Sequence, residues 1–427
     1  MKFNLVFFIL LFSSFSSIIY GHQLPSNIFF YPKISAGGAY AEGSLKGFAR
    51  DSAYKTYVLR ADFPLSLTLG DNIYADINYF ARADYNSNTT GGADYTYKFS
   101  KANINYKTDD FYLKLGRQGY APQGKEAFIY YGEYYDKDNR LPSALEGVSG
   151  GAQTDLFSFS AVAAKEARSL SPVGDNSLIY GAQGAFKLGP LINIESFYYN
   201  RSTNACGMDE DISVYGGGFL FDLPERFSLS FYAALNSGSA TGKKKNLTFT
   251  NNYNGYALNG RMDISAISDF AKNNYRFNVF YGSAAEANSR PFTAIAANPQ
   301  NGYVFGGMNL LNSNDFNALL NNLNPSKASQ EQGLFIYSFD INIAPTDLKD
   351  IYFNVGIYNF ISTAKEADYK NIGSEADFKI TYKKSAFEFN VIYGLFISGN
   401  GLAQATQSAA AANKTVNKIG IATSWEF

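Results

Sequence analysis

The sequence predicts an all-β fold, a transmembrane antiparallel up-and-down β-barrel of about 18 strands. Three observations predict it. Short segments alternate polar and apolar positions along almost the whole chain, which places successive side chains on opposite faces of a strand. The links between these segments alternate short and long. Beyond the N-terminus no apolar run reaches the roughly 20 residues that a helical span requires.

Composition narrows the function classes. The 427 residues carry a net charge of −1, so there is no basic footprint for nucleic acid. Aromatics make up 17%, with 33 Tyr and 37 Phe against a single Trp. Such a surplus suits the aromatic girdles of a membrane barrel. Cys206 is the only cysteine, so no disulfide framework is expected. The only histidine, His22, sits at the expected mature N-terminus, which removes His-dependent triads and His metal sites. No nucleotide loop or calcium loop is present. The chain is therefore expected to be no enzyme and to need no metal and no cofactor.

Residues 1–21 read as a signal peptide. Lys2 supplies the positive start, Phe3 to Phe12 is almost wholly apolar, and Gly21 is small enough for cleavage. Residues 22–427 then form one barrel domain.

The strands follow in order. Segments 31–42, 53–68 and 73–84 come first, the last two joined by Gly70-Asp71-Asn72. In the third, Asp76, Asn78, Arg82 and Asp84 alternate with Ile77, Tyr79, Ala81 and Ala83. Segments 94–106 and 111–118 meet at Thr108-Asp109-Asp110, and 143–153 and 156–166 at Gln153-Thr154-Asp155. Segments 177–188 and 191–200 flank Gly189-Pro190. Segments 211–222 and 227–236 flank Leu223 to Arg226, and 254–267 and 273–283 follow. Segments 333–345 and 350–361 meet at Ala344 to Asp347, and 372–384, 387–398 and 415–427 close the series. Gly, Pro, Asn and Asp supply the dihedrals that tight turns require. Long links lie at 119–142, 237–253, 284–332 and 399–414. Short periplasmic turns and long outer loops are the barrel pattern. The last segment ends Trp425-Glu426-Phe427, an aromatic closing strand expected to be the signal read by the barrel-assembly machinery.

Face counting assigns Arg60, Asp76, Arg82, Lys98, Lys114, Arg261, Arg276, Glu375, Asp377 and Lys379 to the lumen wall, with Asp62, Asp84, Asp263, Asp340 and Glu388 beside them. Such charges either select ions or pair to fill the barrel. Loop 119–142 mixes aromatics with charges and either folds inward or lies solvated. Residues 284–332 hold a short helical stretch at 315–320, 401–413 is Ala-rich and expected to be mobile, and Met208 to Asp211 reads as an acidic loop.

Three stretches carry a resemblance. Phe111 to Gln118, Glu146-Gly147-Val148 and Ile372 to Asp377 resemble strand motifs of the alginate-export type of outer-membrane porins, and the layout is similar to the Opr-type porins of Campylobacter and its relatives. The resemblance implies a monomeric barrel of eighteen strands with a lumen for selective solute passage. It adds Arg117 and Glu146 to the lumen or rim, with Lys114, Glu375 and Asp377. The expected activity is passive diffusion of small hydrophilic solutes and ions across a bacterial outer membrane, with outer-membrane lipid around the wall and a monomer or trimer as the assembly. Alternatives are a channel selective for acidic sugars or carboxylates, polysaccharide export, and a non-conducting adhesin.

Overall fold

The computed structural model describes residues 27–42, 54–86, 94–122, 125, 127–129, 131, 144–166, 176–205, 208–244, 247–284, 289–290, 292, 333–364, 369–406 and 413–426. Among them, twenty-one strands and one short helix occur, and eighteen of the strands form the wall. These are β2 (Lys33–Glu42), β3 (Tyr54–Gly70), β4 (Ile73–Asn86), β5 (Asp94–Lys107), β6 (Phe111–Gln118) and β7 (Leu145–Gln153). Next come β8 (Phe157–Glu166), β9 (Asn176–Leu188), β10 (Ile192–Ala205), β11 (Met208–Leu223), β12 (Phe227–Lys244) and β14 (Tyr256–Ile267). The last six are β15 (Ala271–Gly282), β17 (Leu334–Pro345), β18 (Ile351–Ser362), β19 (Asn371–Lys384), β20 (Phe387–Ser398) and β21 (Thr415–Glu426).

Each wall strand pairs antiparallel with the next, and β21 returns to β2, with Lys33 opposite Glu426 and Tyr40 opposite Ile419. The sheet is thus closed. Closure satisfies the backbone groups that an open edge would expose, which is the condition for crossing lipid with strands. No helix among the described residues is long and apolar enough to cross a membrane. The outer surface is apolar around the whole circumference: Leu69, Ile104, Leu178, Ile194, Leu235, Ile357 and Ile421 are all about half exposed or more. In water such a band would be an aggregation surface, and in lipid it is required.

Three further strands lie off the wall sequence. β1 (Ile28–Phe30) extends the sheet along β3, with Phe29 opposite Ser66. β13 (Leu247–Tyr253) pairs antiparallel with the upper part of β12, so 238–244 and 247–253 are paired strands rather than loop. Their sequence is polar because strands that rise beyond the apolar band need no apolar face. Gly238 bends this run with φ of +133°, and a Cβ there would sit 2.0 Å from the Asp211 carbonyl oxygen. β16 (Ser289–Arg290) pairs with β13. Met208 to Asp211, expected as a loop, begins β11. Residues 401–413, expected to be mobile, contain helix α1 (Asn400–Thr406), whose Leu402 is fully buried. Residues 1–21, 315–320 and Phe427 lie outside the described residues.

Candidate functional site

The candidate site is the barrel interior. Its first part is the described portion of the link between β6 and β7. Tyr120 and Tyr131 bridge each other, with N···O distances of 2.7 and 2.8 Å, so the chain doubles back. Between them a single turn forms, in which Phe128 N donates to the Lys125 carbonyl at 2.9 Å. This turn folds inward. Phe128 stacks on Phe197 of β10 at 5.4 Å and meets Phe292 edge-on at 6.0 Å. Phe128, Ile129 and Tyr131 are fully buried in a cluster with Ile179, Tyr199, Ile212 and Val214. Of the two dispositions left open by the sequence, the described residues of this link adopt the inward one.

Polar anchors fix the turn. The Lys125 ammonium pairs with Glu195 of β10 and lies 5.0 Å from the ring centroid of Tyr232, whose hydroxyl donates to the same carboxylate at 3.0 Å. Tyr131 donates to Glu166 of β8 at 2.9 Å. Nearby, Arg201 pairs with Glu210 at 3.0 Å, and the Tyr253 hydroxyl donates to Glu210. Tyr120 and Tyr199 share a hydrogen bond of 3.2 Å, and burial pushes the Tyr120 phenol above its ordinary range. Opposite, α1 sets Leu402 against Phe360, Ile372, Phe396 and Val416. Both apolar clusters lie toward the long-loop end.

The second part is a row of charges nearer mid-height. Following the pairing register, Asp263 lies opposite Arg276, Arg276 opposite Asp340, Asp340 opposite Gly356 and Gly356 opposite Asp377. Asp377 then lies opposite Gly394, and Gly394 opposite Lys418. Side chains directly opposite one another share a face, so this is one girdle on the inner wall. Asp263 joins the two guanidinium groups of Arg261 and Arg276, the latter at 2.7 Å. Gly356 makes room: a Cβ there would stand 2.8 Å from the Asp340 carboxylate and 2.4 Å from the Tyr358 hydroxyl, which donates to Asp340.

On the far wall, Arg60 grips Asp62 through two hydrogen bonds of 2.7 and 2.6 Å and lies 4.6 Å over the Phe80 ring. Asp76 accepts from Asn105 at 2.8 Å and from Ser66, and pairs with Lys101 at 3.2 Å. Arg82 is opposite Arg60, and Lys114 is opposite Asn105 and Ser149, all on the inner face. Glu375 is 2% exposed on the inner face of β19, with Lys379 two pairs below. The Lys98 backbone pairs with Phe80, and its side chain lies outside the described residues.

Arg117 and Glu146 require a correction. Both alternate with buried inner residues: Gln118 and Leu145 face in, whereas Arg117 and Glu146 share the face of Leu115 and Val148, which are 46% and 41% exposed. Their ion pair stands on the outer surface. Motif matching set them inward; the strand's period of two turns them outward. Lys101, Lys125, Glu195, Arg201 and Lys418 were missed. Lys101 shows in the alternation of β5 only after the register shift near Tyr79 is allowed for, and Lys125 lies in a link with no periodicity to read.

With eighteen strands closed around an inward turn and a charged inner row, comparison with solved structures becomes informative. Acinetobacter baumannii OccAB3 superposes with a TM-score of 0.56 at 11% identity, covering 93% of this chain and 99% of that one. Acinetobacter baumannii OccAB2 gives 0.55 at 12%, covering 93% and 98%. Pseudomonas aeruginosa OpdQ gives 0.54 at 9%, covering 94% and 99%. This chain has their fold. No family model matches the sequence, and no curated protein does. At these identities the likeness speaks for architecture, so residue roles must come from this chain's own geometry.

Proposed function

We propose that the chain is an outer-membrane porin, a water-filled channel that passes small hydrophilic solutes and ions by diffusion. The observation that carries this reading is the inner charge row from Asp263 to Lys418, on the wall of a closed barrel of eighteen strands. Barrels of this strand number are wide enough to hold water. The structural neighbours are themselves outer-membrane porins and not enzymes. Arg60, Asp76, Arg82, Lys98, Lys114, Arg261, Arg276, Glu375, Asp377 and Lys379 form the pore wall in this reading, and passage is selected by size and sign. The fixed inward turn narrows one side of the lumen, which favours a selective channel over a general one. Alginate-type export is the narrower reading; its motif residues Arg117 and Glu146 face outward, so they lend it no lumenal support.

Residues 1–21 direct export in this proposal, and the closing strand, ending in Trp425 and Phe427, is the segment presented to the assembly machinery. Trp425 packs edge-on against Phe387 at 5.9 Å, holding the aromatic end against β20. The test is conductance of the refolded chain in a planar bilayer across a KCl gradient. Discrete open levels are expected. A folded barrel that never conducts would overturn the channel and turn attention to the loops as an adhesive surface.

A further inference from the structure

The outward Arg117–Glu146 pair has no part in a lumenal channel. Pairing sets Arg117 opposite Glu146, and Glu146 opposite Lys165 of β8. All three share the outer face at the end of the wall away from the tight turns. Immediately below them on that face lie the exposed Leu115 and Val148, the top of the apolar band. Charge on the lipid face is tolerated only near an interface, so the trio marks the headgroup level of the outer leaflet.

Its chemistry is unbalanced. One carboxylate answers two cations. Arg117 gives Nε, at 2.9 Å, and Nη2 to Glu146 and Nη1 to the Phe99 carbonyl at 2.6 Å, which fixes the plane of its guanidinium and leaves one further N–H on each Nη. Lys165 is exposed and forms no ion pair among the described residues. Below Lys165 the outer face is small: Ala163 and Ala161 on β8 and Gly150 opposite Ala161 on β7. This strip on β8 is a shallow trough bordered by Val148 of β7 and Tyr180 of β9, both opposite Ala163. A fixed guanidinium and a neighbouring ammonium above an apolar trough match a phosphate carried on acyl chains.

We propose that Arg117 and Lys165 seat the phosphate of an outer-leaflet lipid, with an acyl chain along Val148, Ala161 and Ala163. The proposal rests on the outer-membrane orientation read above but not on conduction. The full chain, refolded in neutral detergent, is titrated with a bis-phosphorylated acylated disaccharide, with the same lipid dephosphorylated, and with inorganic phosphate, and retained lipid is read by native mass spectrometry. The phosphorylated lipid should be retained over its dephosphorylated form. Lys165→Gln and Arg117→Gln should each weaken retention roughly fivefold, the scale expected for one cation at an anionic lipid surface. Lys114→Gln, on the inner face, should leave retention unchanged. Equal retention of the two lipids, unchanged retention in both variants, or displacement by equimolar inorganic phosphate would overturn the lipid site. Bilayer conductance measured on the same samples separates this outcome from failure of the channel, since a non-conducting barrel that retains phosphorylated lipid still supports it.

Discussion

Lys125 is 3% exposed inside the barrel, and its charge is tolerable there only because Glu195 and the Tyr232 ring receive it. Removing one partner of a buried pair leaves the other charge uncompensated, at a cost of about 3–5 kcal/mol, whereas replacing both with apolar or neutral groups is often near neutral. Lys125→Met is therefore expected to loosen the inward turn and give noisy, enlarged single-channel currents. The double variant Lys125→Met with Glu195→Gln should restore quiet ones. Bilayer recordings of the three proteins decide it; identical currents in all of them would remove the turn from the conduction path. Arg201 poses the same problem without a loop attached. Arg201→Met strands Glu210 beside Glu166 and should lower the urea midpoint of the folded barrel by an amount corresponding to about 3–5 kcal/mol. Exposed Lys165→Gln, by contrast, should leave that midpoint within about 0.5 kcal/mol.

Strands are the scale at which the sequence was most readable. Every one of the eighteen wall strands is legible in the sequence, because an apolar outer face and a polar inner face impose one period of two on each strand. The parts that escaped are the parts released from that constraint. The upper part of β12 and its partner β13 stand clear of the band, so their polar sequence resembled a loop. Among the described side chains of helix α1 the large apolar one is Leu402, and a single anchor is too little for a helical pattern to show. Within β6, Gly116 adopts φ of +118°, and a Cβ would stand 2.3 Å from the Ala102 carbonyl oxygen of β5. Gly116→Ala is expected to strain the β5–β6 pairing by at least about 1 kcal/mol and to reduce the folded fraction seen as heat-modifiable mobility on a gel. Arg276, Asp340 and Asp377 share one register row, as alternation of their strands implies, whereas Arg117 and Glu146 alternate with the buried Gln118 and Leu145 and so face outward whatever their motif implies.

For the whole molecule, the inner charge row matters as a field. Asp340, Glu375 and Asp377 stand on one arc of the wall among Arg261, Arg276, Lys379 and Lys418, while Arg60, Arg82, Lys101 and Lys114 stand on the other with Asp62 and Asp76. Charges set across a lumen act over its width only where salt does not screen them. The triple variant Asp340→Asn, Glu375→Gln, Asp377→Asn should shift the reversal potential toward anion preference in 0.1 M KCl, where the screening length is about 10 Å. The cation-to-anion permeability ratio should fall about twofold or more there and converge on the parent value in 1 M KCl, where that length is about 3 Å. A reversal potential indifferent to the triple change would take the arc out of ion selection.

The inward turn also sets an order of events. Lys125 finds its partner 70 positions along the chain, and Tyr131 finds Glu166 35 positions along. The two seats come together only once β8, β9 and β10 have paired in turn. An excursion must be closed before such contacts return anything, so they follow the pairing of those strands. The seats for the turn are therefore ready before the ring is: β21 must still reach back to β2, Glu426 to Lys33, so the constriction is laid into an open sheet that then curls shut around it.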